Sequence, residues 1–405
     1  MSFQQGLSGL NAASKNLDVI GNNVANASTV GFKQGQAQFA DMYANSLSGA
    51  GGSQVGIGVK VAAVVQQFTQ GNITSTNNPL DVAINGNGFF RMDNGGDITY
   101  QRNGQFQLDK LGFIVNPSGA KLTGYTANAS GVLSTGAAAP LSINTADLPP
   151  NITTEVNAVL NLDSGSPTLP ALPAFSTTDP TTYTNSTAVT VYDSLGNDQT
   201  LQMFYVKRAA GWDVYAANDG VQIGAAPIAS LTFNTSGVLT TAMPLAPINV
   251  PATATGATTP FPVAIDFTGT TQFGANFSVN SLNQDGFTSG RLSGFDLAAD
   301  GVVLGRYTNG QTAVLGQVVL AGFANPNGLQ PQGDNQWVET STSGAPLVGP
   351  PDTGSLGVLQ SKAVEDSNVD LTAELVNLIT AQRMYQANAQ TIKAQDTVMQ
   401  TLVNL

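Results

Sequence analysis

The chain has 405 residues and contains neither cysteine nor histidine. Without cysteine there is no disulfide and no thiolate for nucleophilic or metal chemistry. Without histidine, the commonest zinc ligand and the usual general base near neutral pH are both missing. Zinc hydrolases, cysteine enzymes and Ser-His-Asp hydrolases are thereby excluded. Charge is also scarce: 14 Lys and Arg stand against 26 Asp and Glu, a net of −12. So few cations give no basic patch for nucleic acid. Residues 146–280 carry nine acidic groups against Lys207 and Arg208, a net of −7, so the excess is concentrated in the middle of the sequence. Long apolar runs are missing too. Nothing approaches the roughly 18 residues of a membrane span, and Val61–Val65 is among the longest runs. No membrane insertion is expected. The N-terminus lacks the basic region, apolar region and cleavage site of a secretory signal peptide.

What is abundant is small: 44 Gly, with frequent Thr, Asn and Ala, beside 41% apolar residues. That balance predicts mainly β body domains of short strands and turns, with real cores. The turns at Asn94-Gly95-Gly96, Asn103-Gly104, Leu111-Gly112 and Ser118-Gly119 are spaced like an antiparallel, barrel-like sheet. The length allows two or three domains.

Helical signals are confined to the two ends. From Val369 to Leu405 no Gly or Pro interrupts a run of good helix formers. Leu371, Leu375, Leu378, Gln382, Tyr385, Ala389, Ile392, Asp396, Met399 and Val403 follow in steps of four and three, and eight of these ten are apolar. That is a heptad seam, and Leu402 flanks it. Ser367 and Asn368 are the expected cap, with Asp370 and Glu374 at the positive end of the helix dipole. At about 1.5 Å per residue the rod would be roughly 50 Å long. In the first thirty residues Phe3, Leu10, Leu17 and Val24 recur every seven, with Ala13, Ile20 and Ala27 as a companion column. The residues leave two arrangements open: an antiparallel pair closing the domain, or two helices that cannot bury both seams alone and order only against copies of themselves.

Three N-terminal stretches, Gly9–Ala13, Leu17–Asn26 and Thr29–Lys33, resemble the N-terminal motif of the bacterial flagellar rod and hook axial protein family. Ser367–Leu371, Glu374-Leu375 and Ala381–Asn388 resemble its C-terminal partner. The motif residues are Asn22, Asn23, Asn26, Gly31, Phe32, Asn368, Asp370, Glu374, Gln382, Arg383, Tyr385 and Asn388. The resemblance implies a helical coiled-coil core built from both termini, with nested, discontinuous domains. Self-assembly through Phe3, Leu10, Leu17, Ile20, Val24, Leu371, Leu375, Leu378, Tyr385, Ile392, Met399 and Leu402 would follow from it.

Between the ends, residues 28–70 read as a connecting arm, with a flexible Gly/Ser stretch at 46–53 and alternating Val55, Ile57, Val59 and Val61. Leu80–Ile84 and Phe89–Met92 flank Asn85-Gly86-Asn87-Gly88, which predicts a hairpin. A phosphate-loop reading of Gly86 and Gly88 fails for want of Gly-Lys-Ser/Thr. Tyr100–Phe106 and Leu122–Tyr125 resemble the inner body domain of the family, as do Asn325–Leu329, Gly333–Trp337 and Glu339-Thr340. Trp337 is expected in a core. Strands are predicted at Ala188–Tyr192, Leu201–Val206, Trp212–Tyr215, 228–233 and 263–267. Asp193–Asp198 lacks the ligand spacing and terminal Glu of a calcium loop and reads as a turn between strands. The expected division is 1–27 with 365–405 as helical core, 28–70 as arm, 71–145 with 281–364 as inner β domain, and 146–280 as inserted outer β domain.

The implied function is a structural subunit of the flagellar hook: a curved, flexible tubular joint that transmits torque and surrounds an export channel. Its implied partners are copies of itself, the distal rod, hook cap and hook–filament junction proteins, and the flagellar type III export apparatus. It would be exported to the outside of the cell without a cleaved signal. Inner and outer domains would slide at Thr/Asn-rich interfaces during bending. A distal rod protein shares the terminal motifs, but the insertion at 146–280 favours the hook; a secreted β-rich adhesin would not need heptad termini. Catalysis by paired carboxylates such as Asp193 and Asp213 has no spacing to support it. No catalytic residue, metal or cofactor is expected.

Overall fold

The computed structural model describes residues 2–42, 56–128, 131–172, 174–253 and 256–403. The Gly/Ser stretch at 46–53 lies outside the described residues. The protein is mainly β with one long helix at each end, α1 (Ser2–Ala25) and α2 (Leu371–Val403). It divides into two compact units. One comprises 1–145, 294–306 and 312–405, and the other 146–293 with 307–311.

Near its start, the first unit has a two-stranded antiparallel sheet of β1 (Gly35–Met42) and β2 (Gly58–Gln66). Three short strands follow: β3 (Ile73–Ser75), β4 (Val82–Asn85) and β5 (Phe89–Asn94); β6 (Asp97–Gln101) comes next. The Asn85–Gly88 segment does not close a hairpin between β4 and β5. β4 pairs instead with Val358–Ser361, from just before α2, while β5 pairs with β6. Gly86 sits against Gly357, immediately before the strand that takes the edge of β4, so the segment is held by a partner distant in sequence. The true tight turn is Gly95-Gly96, with φ of +67° and +108°.

The barrel-like expectation is also corrected: no sheet closes among the described strands. One edge of β5 is taken by β6, while the other is shared, Phe89-Phe90 pairing with Leu320-Ala321 and Met92-Asp93 with Lys121-Leu122. The strands at the two ends of this sheet's path do not pair with each other, which closure demands. The fork is packed with aromatic rings. Trp337, buried as expected of it, meets Phe68 and Phe89 edge-on at 5.5 and 5.8 Å, and its indole N–H donates to Gln66.

The second unit places two sheets on one core. A four-stranded sheet holds Ile248–Val250, Phe261–Asp266, Glu155–Asn161 and Ser278–Gln284 in that order. Its Glu155–Asn161 and Phe261–Asp266 strands run parallel, a departure from the all-antiparallel expectation. A five-stranded sheet is built on Asn185–Tyr192, Asp198–Arg208 and Gly211–Asn218. Val156, Leu160, Tyr205, Trp212, Phe261 and Phe267 meet between them. On the far face of the second sheet Phe204, Val206 and Tyr215 are covered by Leu169, Phe175 and Tyr183, with Phe175 stacked on Tyr215 at 4.2 Å. Asn185–Tyr192 and Asp198–Arg208 form the predicted hairpin, closed by Asp193–Asn197. There the buried Asp193 carboxylate accepts from the backbone N–H groups of Leu195 and Asn197 and from the Asn197 amide.

These contacts can be tested in each unit separately. A Cβ at Gly104 would lie 1.6 Å from the Val82 carbonyl oxygen. Gly104→Ala should therefore destabilise the first unit by about 3 kcal/mol or more, read as a lowered urea midpoint. In the second unit, burial pushes the Asp193 pKa up, but hydrogen bonds from Asn197, Leu195 and Gly196 together outweigh it and hold the group below its ordinary value. Asp285 is held low in the same way, against burial, by Thr154 and Glu155. A depressed carboxylate stabilises the fold above its ordinary pKa of about 4 and loses that contribution as pH falls through the folded value. Thermal unfolding of this unit should therefore become easier as pH drops below about 4. Asp193→Asn should flatten that dependence; an unchanged pH profile would refute the assignment.

Candidate functional site: the terminal helix pair and its buried junction

α1 and α2 pack antiparallel. At one end Gly6 faces Ile392 and Gly9 faces Asn388; at the other, Asn23 reaches Glu374. The glycines set the spacing, since a Cβ at Gly9 would come within 2.8 Å of the Asn388 amide. Ala12, Ala13 and Ile20 are buried on α1. On α2 the deepest residues are Ala381 and Glu374, 1% and 3% exposed, with Leu378, Asn388, Ala389 and Ile392 half-buried.

The heptad seam read from the sequence is therefore divided between two faces. Leu10, Leu17, Val24, Leu378 and Ile392 are half-buried and Ile20 is buried. Phe3 (51%), Leu371 (47%), Leu375 (45%), Tyr385 (37%) and Met399 (60%) are exposed. The side chain of Leu402 lies outside the described residues. Two other rows were not read as part of the seam. The small and polar set Glu374, Ala381 and Asn388 faces α1, while Val376, Ile379 and Met384 join the exposed set. The seven-residue spacing of Glu374, Ala381 and Asn388, opposite Gly9 and Ala13, was the available signal.

The expected cap is also reassigned. Asp370 caps α2, its carboxylate accepting from the N–H groups of Thr372 and Ala373 at 2.9 and 3.1 Å. Asn368 is directed elsewhere. Its oxygen accepts from Gln34 N–H at 2.8 Å, and its amide nitrogen donates to Gln67 O and Thr69 Oγ1 at 2.8 and 2.9 Å. Asn23 embraces the Gly35 backbone through both N–H and C=O, at 2.9 and 2.8 Å. Glu374 accepts from Gln34 Nε2 at 2.7 Å and from Asn23 at 3.4 Å. Asn26 donates to Asn22 and accepts from Thr29, closing the end of α1. Gly31, φ +71°, lets the backbone pass where a Cβ would sit 2.5 Å from Asn103 N, and Phe32 is buried beside it. Gln382 and Arg383 lie exposed on α2, away from this network.

Below the helix pair lies a fully buried ion cluster. Glu365 Oε1 meets Lys33 Nζ at 2.6 Å and Oε2 meets Arg102 Nη1 at 3.2 Å. Gly71 N–H donates to the same carboxylate, and Gly31 N–H to the Glu365 backbone oxygen. Lys33 also donates to Thr69 O, and Arg102 to Gly86 O. Burial pushes the Lys33 pKa down against the pull of Glu365, and Arg102 is shifted the same way for the same reason. A cavity of about 640 Å³ opens between the helices and β1, lined by Asn16, Ile20, Phe39, Asn377 and Met384 among others. Among the described residues no three carboxylates gather as a metal site. The arrangement joins the two helices to a sheet through directional polar contacts.

Removing Glu365 would leave two buried cations facing one another. Glu365→Ala should cost about 3–5 kcal/mol, whereas Lys15→Ala, whose ion pair with Asp18 is exposed, should cost under about 1 kcal/mol. Equal losses in denaturant titrations would contradict the role given to the cluster.

Four family models match in tandem. Residues 3–33 match the flagella basal body rod protein and 83–159 the D1 domain of flagellar hook protein FlgE/F/G. Residues 161–287 match the D2 domain of flagellar basal body protein FlaE, and 360–405 the C-terminal region of flagellar basal body rod FlgEFG proteins. Flagellar hook protein FlgE of Salmonella typhimurium is 44% identical over 414 residues, covering 100% of both proteins. That of Borreliella burgdorferi is 32% identical over 448 residues, covering 100% of this protein and 99% of its own length. A crystal structure of Helicobacter pylori flagellar hook protein FlgE2 shares the fold, with a TM-score of 0.55 at 13% identity, over 72% of this protein and 100% of that one. With full-length similarity added to the paired terminal helices and their polar junction, the chain belongs to the flagellar hook protein family.

Proposed function

We propose that the protein is a structural subunit of the flagellar hook and that copies assemble through the outward rows of α2. The observation that carries this reading is the exposure of Leu371, Leu375, Val376, Ile379, Met384 and Met399 along one helix. A buried Leu or Ile side chain is worth about 1.5–3 kcal/mol, so a helix presenting six such groups to water has a strong drive to find a partner surface. Phe3, Leu10, Leu17, Ile20 and Val24 of α1, with Leu378, Tyr385, Ile392 and Leu402 of α2, complete the self-assembly core in this reading. Asn22, Asn23, Asn26, Gly31, Phe32, Asn368, Asp370 and Glu374 fix the angle at which the pair is presented. Gln382, Arg383 and Asn388 remain available to neighbouring copies or to the α1 contact. The terminal pair forms the helical core, residues 28–70 an arm, and 146–280 an outer domain.

Stacked copies would form a tube around a central export channel and transmit motor torque from rod to filament. Bending would come from exchange of many weak contacts among small polar side chains, each of low cost. The role is mechanical and no enzymatic activity is proposed. Further partners would be the distal rod, hook cap and hook–filament junction proteins and the type III export apparatus. Export outside the cell would proceed without a cleaved signal.

Leu375→Glu with Ile379→Glu should abolish polymerisation, measured by sedimentation, while leaving the far-ultraviolet circular dichroism of the monomer unchanged. Normal polymers from the double variant would sink the proposal. Backbone hydrogen exchange gives an independent check. Amides of α2 should exchange faster in dilute monomer than in polymer, because assembly removes the opening that exposes them. Equal protection in both states would instead make α1 and α2 a purely internal pair.

A further inference from the structure

Six Asn-Gly pairs occur in the sequence, at Asn85, Asn87, Asn94, Asn103, Asn309 and Asn327. Such pairs share a reactivity. With no side chain on the following residue, its backbone nitrogen is free to approach the asparagine Cγ. The fold does not treat the six alike.

Five are restrained. Asn85 accepts from the Gln70 amide, and Gly86 N–H donates to Gln70 in return. Gly88 is buried behind Asn87 and packs on Leu356 and Leu320. Asn103 accepts from Gln105 N–H, and Gly104 is buried against Val82. Asn309 is held through both ends of its amide, by Thr288 and Gln311, and Gly310 N–H donates to Tyr307. Gly328 N–H is bonded to Asn325, and its α-carbon is crowded by Thr342 and Ser343.

Asn94-Gly95 combines an unbonded, exposed asparagine with an open glycine, a combination the other five lack. It sits at the turn between β5 and β6, and Asn94, Gly95, Gly96 and Asp97 are all exposed. No hydrogen bond of the Asn94 side chain is present among the described residues, whereas its neighbour Asp93 is engaged by Gly96 N–H. Nothing lies within 4 Å of the space above the Gly95 α-carbon. Gly95 has φ +67°, a backbone conformation that glycine adopts freely.

We propose that Asn94 is a built-in site of spontaneous deamidation. The Gly95 nitrogen attacks the Asn94 Cγ, forming a new bond from nitrogen to carbon. The bond from Cγ to Nδ2 breaks, and ammonia leaves with the proton lost from the Gly95 nitrogen. Water then opens the five-membered imide at either carbonyl, giving aspartate or isoaspartate, with no change of oxidation state. The product adds a carboxylate between Asp93 and Asp97, and the isoaspartate form also inserts a methylene into the backbone of a two-residue turn. Both effects oppose the β5–β6 hairpin, through like-charge repulsion and through a break in its register.

The test is peptide mapping by mass spectrometry of the full-length protein after timed incubation in mildly alkaline buffer. A parallel sample is held unfolded in urea. In the folded protein the Asn94 peptide should convert several-fold faster than each of the other five, with aspartate and isoaspartate forms both recovered. In urea the six rates should draw together. Faster conversion at any other Asn-Gly pair, no conversion at Asn94, or the same ranking folded and unfolded would each overturn the proposal. Asn94→Gln supplies the control, since the longer side chain forms the ring poorly and the fastest-converting peptide should disappear.

Discussion

One carboxylate ties the two ends of the protein to its body. Glu365 is buried between Lys33, eight residues past the end of α1, and Arg102, from the strand-rich first unit. It stands six residues before α2 begins. Three segments distant in sequence thus meet at one charged group, which satisfies the cations while they in turn donate to Thr69 and Gly86 carbonyls. Burying such a cluster is costly in itself, and well-packed apolar groups could match it in stability. Its value is geometric. Charge-assisted hydrogen bonds are short and directional, so a fixed set of donors and acceptors permits one relative placement of these segments.

The same division between directional polar contacts and undirected apolar ones recurs in the helices. Toward α1, α2 presents Glu374, Ala381 and Asn388, and Gly9 leaves the room that Asn388 needs. Small and polar residues give register but little hydrophobic drive. Toward solvent, α2 presents Leu375, Val376 and Ile379, which give drive but little register. A helix that spent its apolar row on its own partner would have none left for other copies of the protein.

How much of this was legible in the sequence depended on the range of the interaction. The hairpin at Asp193–Asn197 is a local matter of oxygen-rich turn chemistry between two alternating strands, and it reads directly from the residues. Asn85–Gly88 carries an equally strong local signal, yet β4 pairs with a strand about 270 residues away. Short-range propensity contains no information about that partner, and tertiary pairing won. Both terminal helices were visible because long uninterrupted runs of helix formers need no partner to be recognised. Which face of α2 turns inward did not follow from its apolar rows. Apolar periodicity marks where burial is favourable, whereas Glu374 is buried because Gln34 and Asn23 wait for it. Asn368 was misread for the same reason: a side chain suited to capping was required by Gln34, Gln67 and Thr69, leaving the cap to Asp370.

The missing residue types gain meaning from this arrangement. With no cysteine or histidine and few charges, the protein relies on amides and hydroxyls for specificity. Asn23, Asn26, Gln34 and Asn368 supply the junction, and Asp370 and Glu374 anchor the helix that leaves it. Neutral amides keep their hydrogen bonds across a wide range of pH and salt, unlike exposed ion pairs, which salt screens within about 10 Å. A junction built from them holds the angle of the helix pair under varied external conditions. Its cluster of Lys33, Arg102 and Glu365 is sealed from solvent, where screening by salt is weakest. Polar character is thus placed where geometry must be constant, and apolar character where contacts must form.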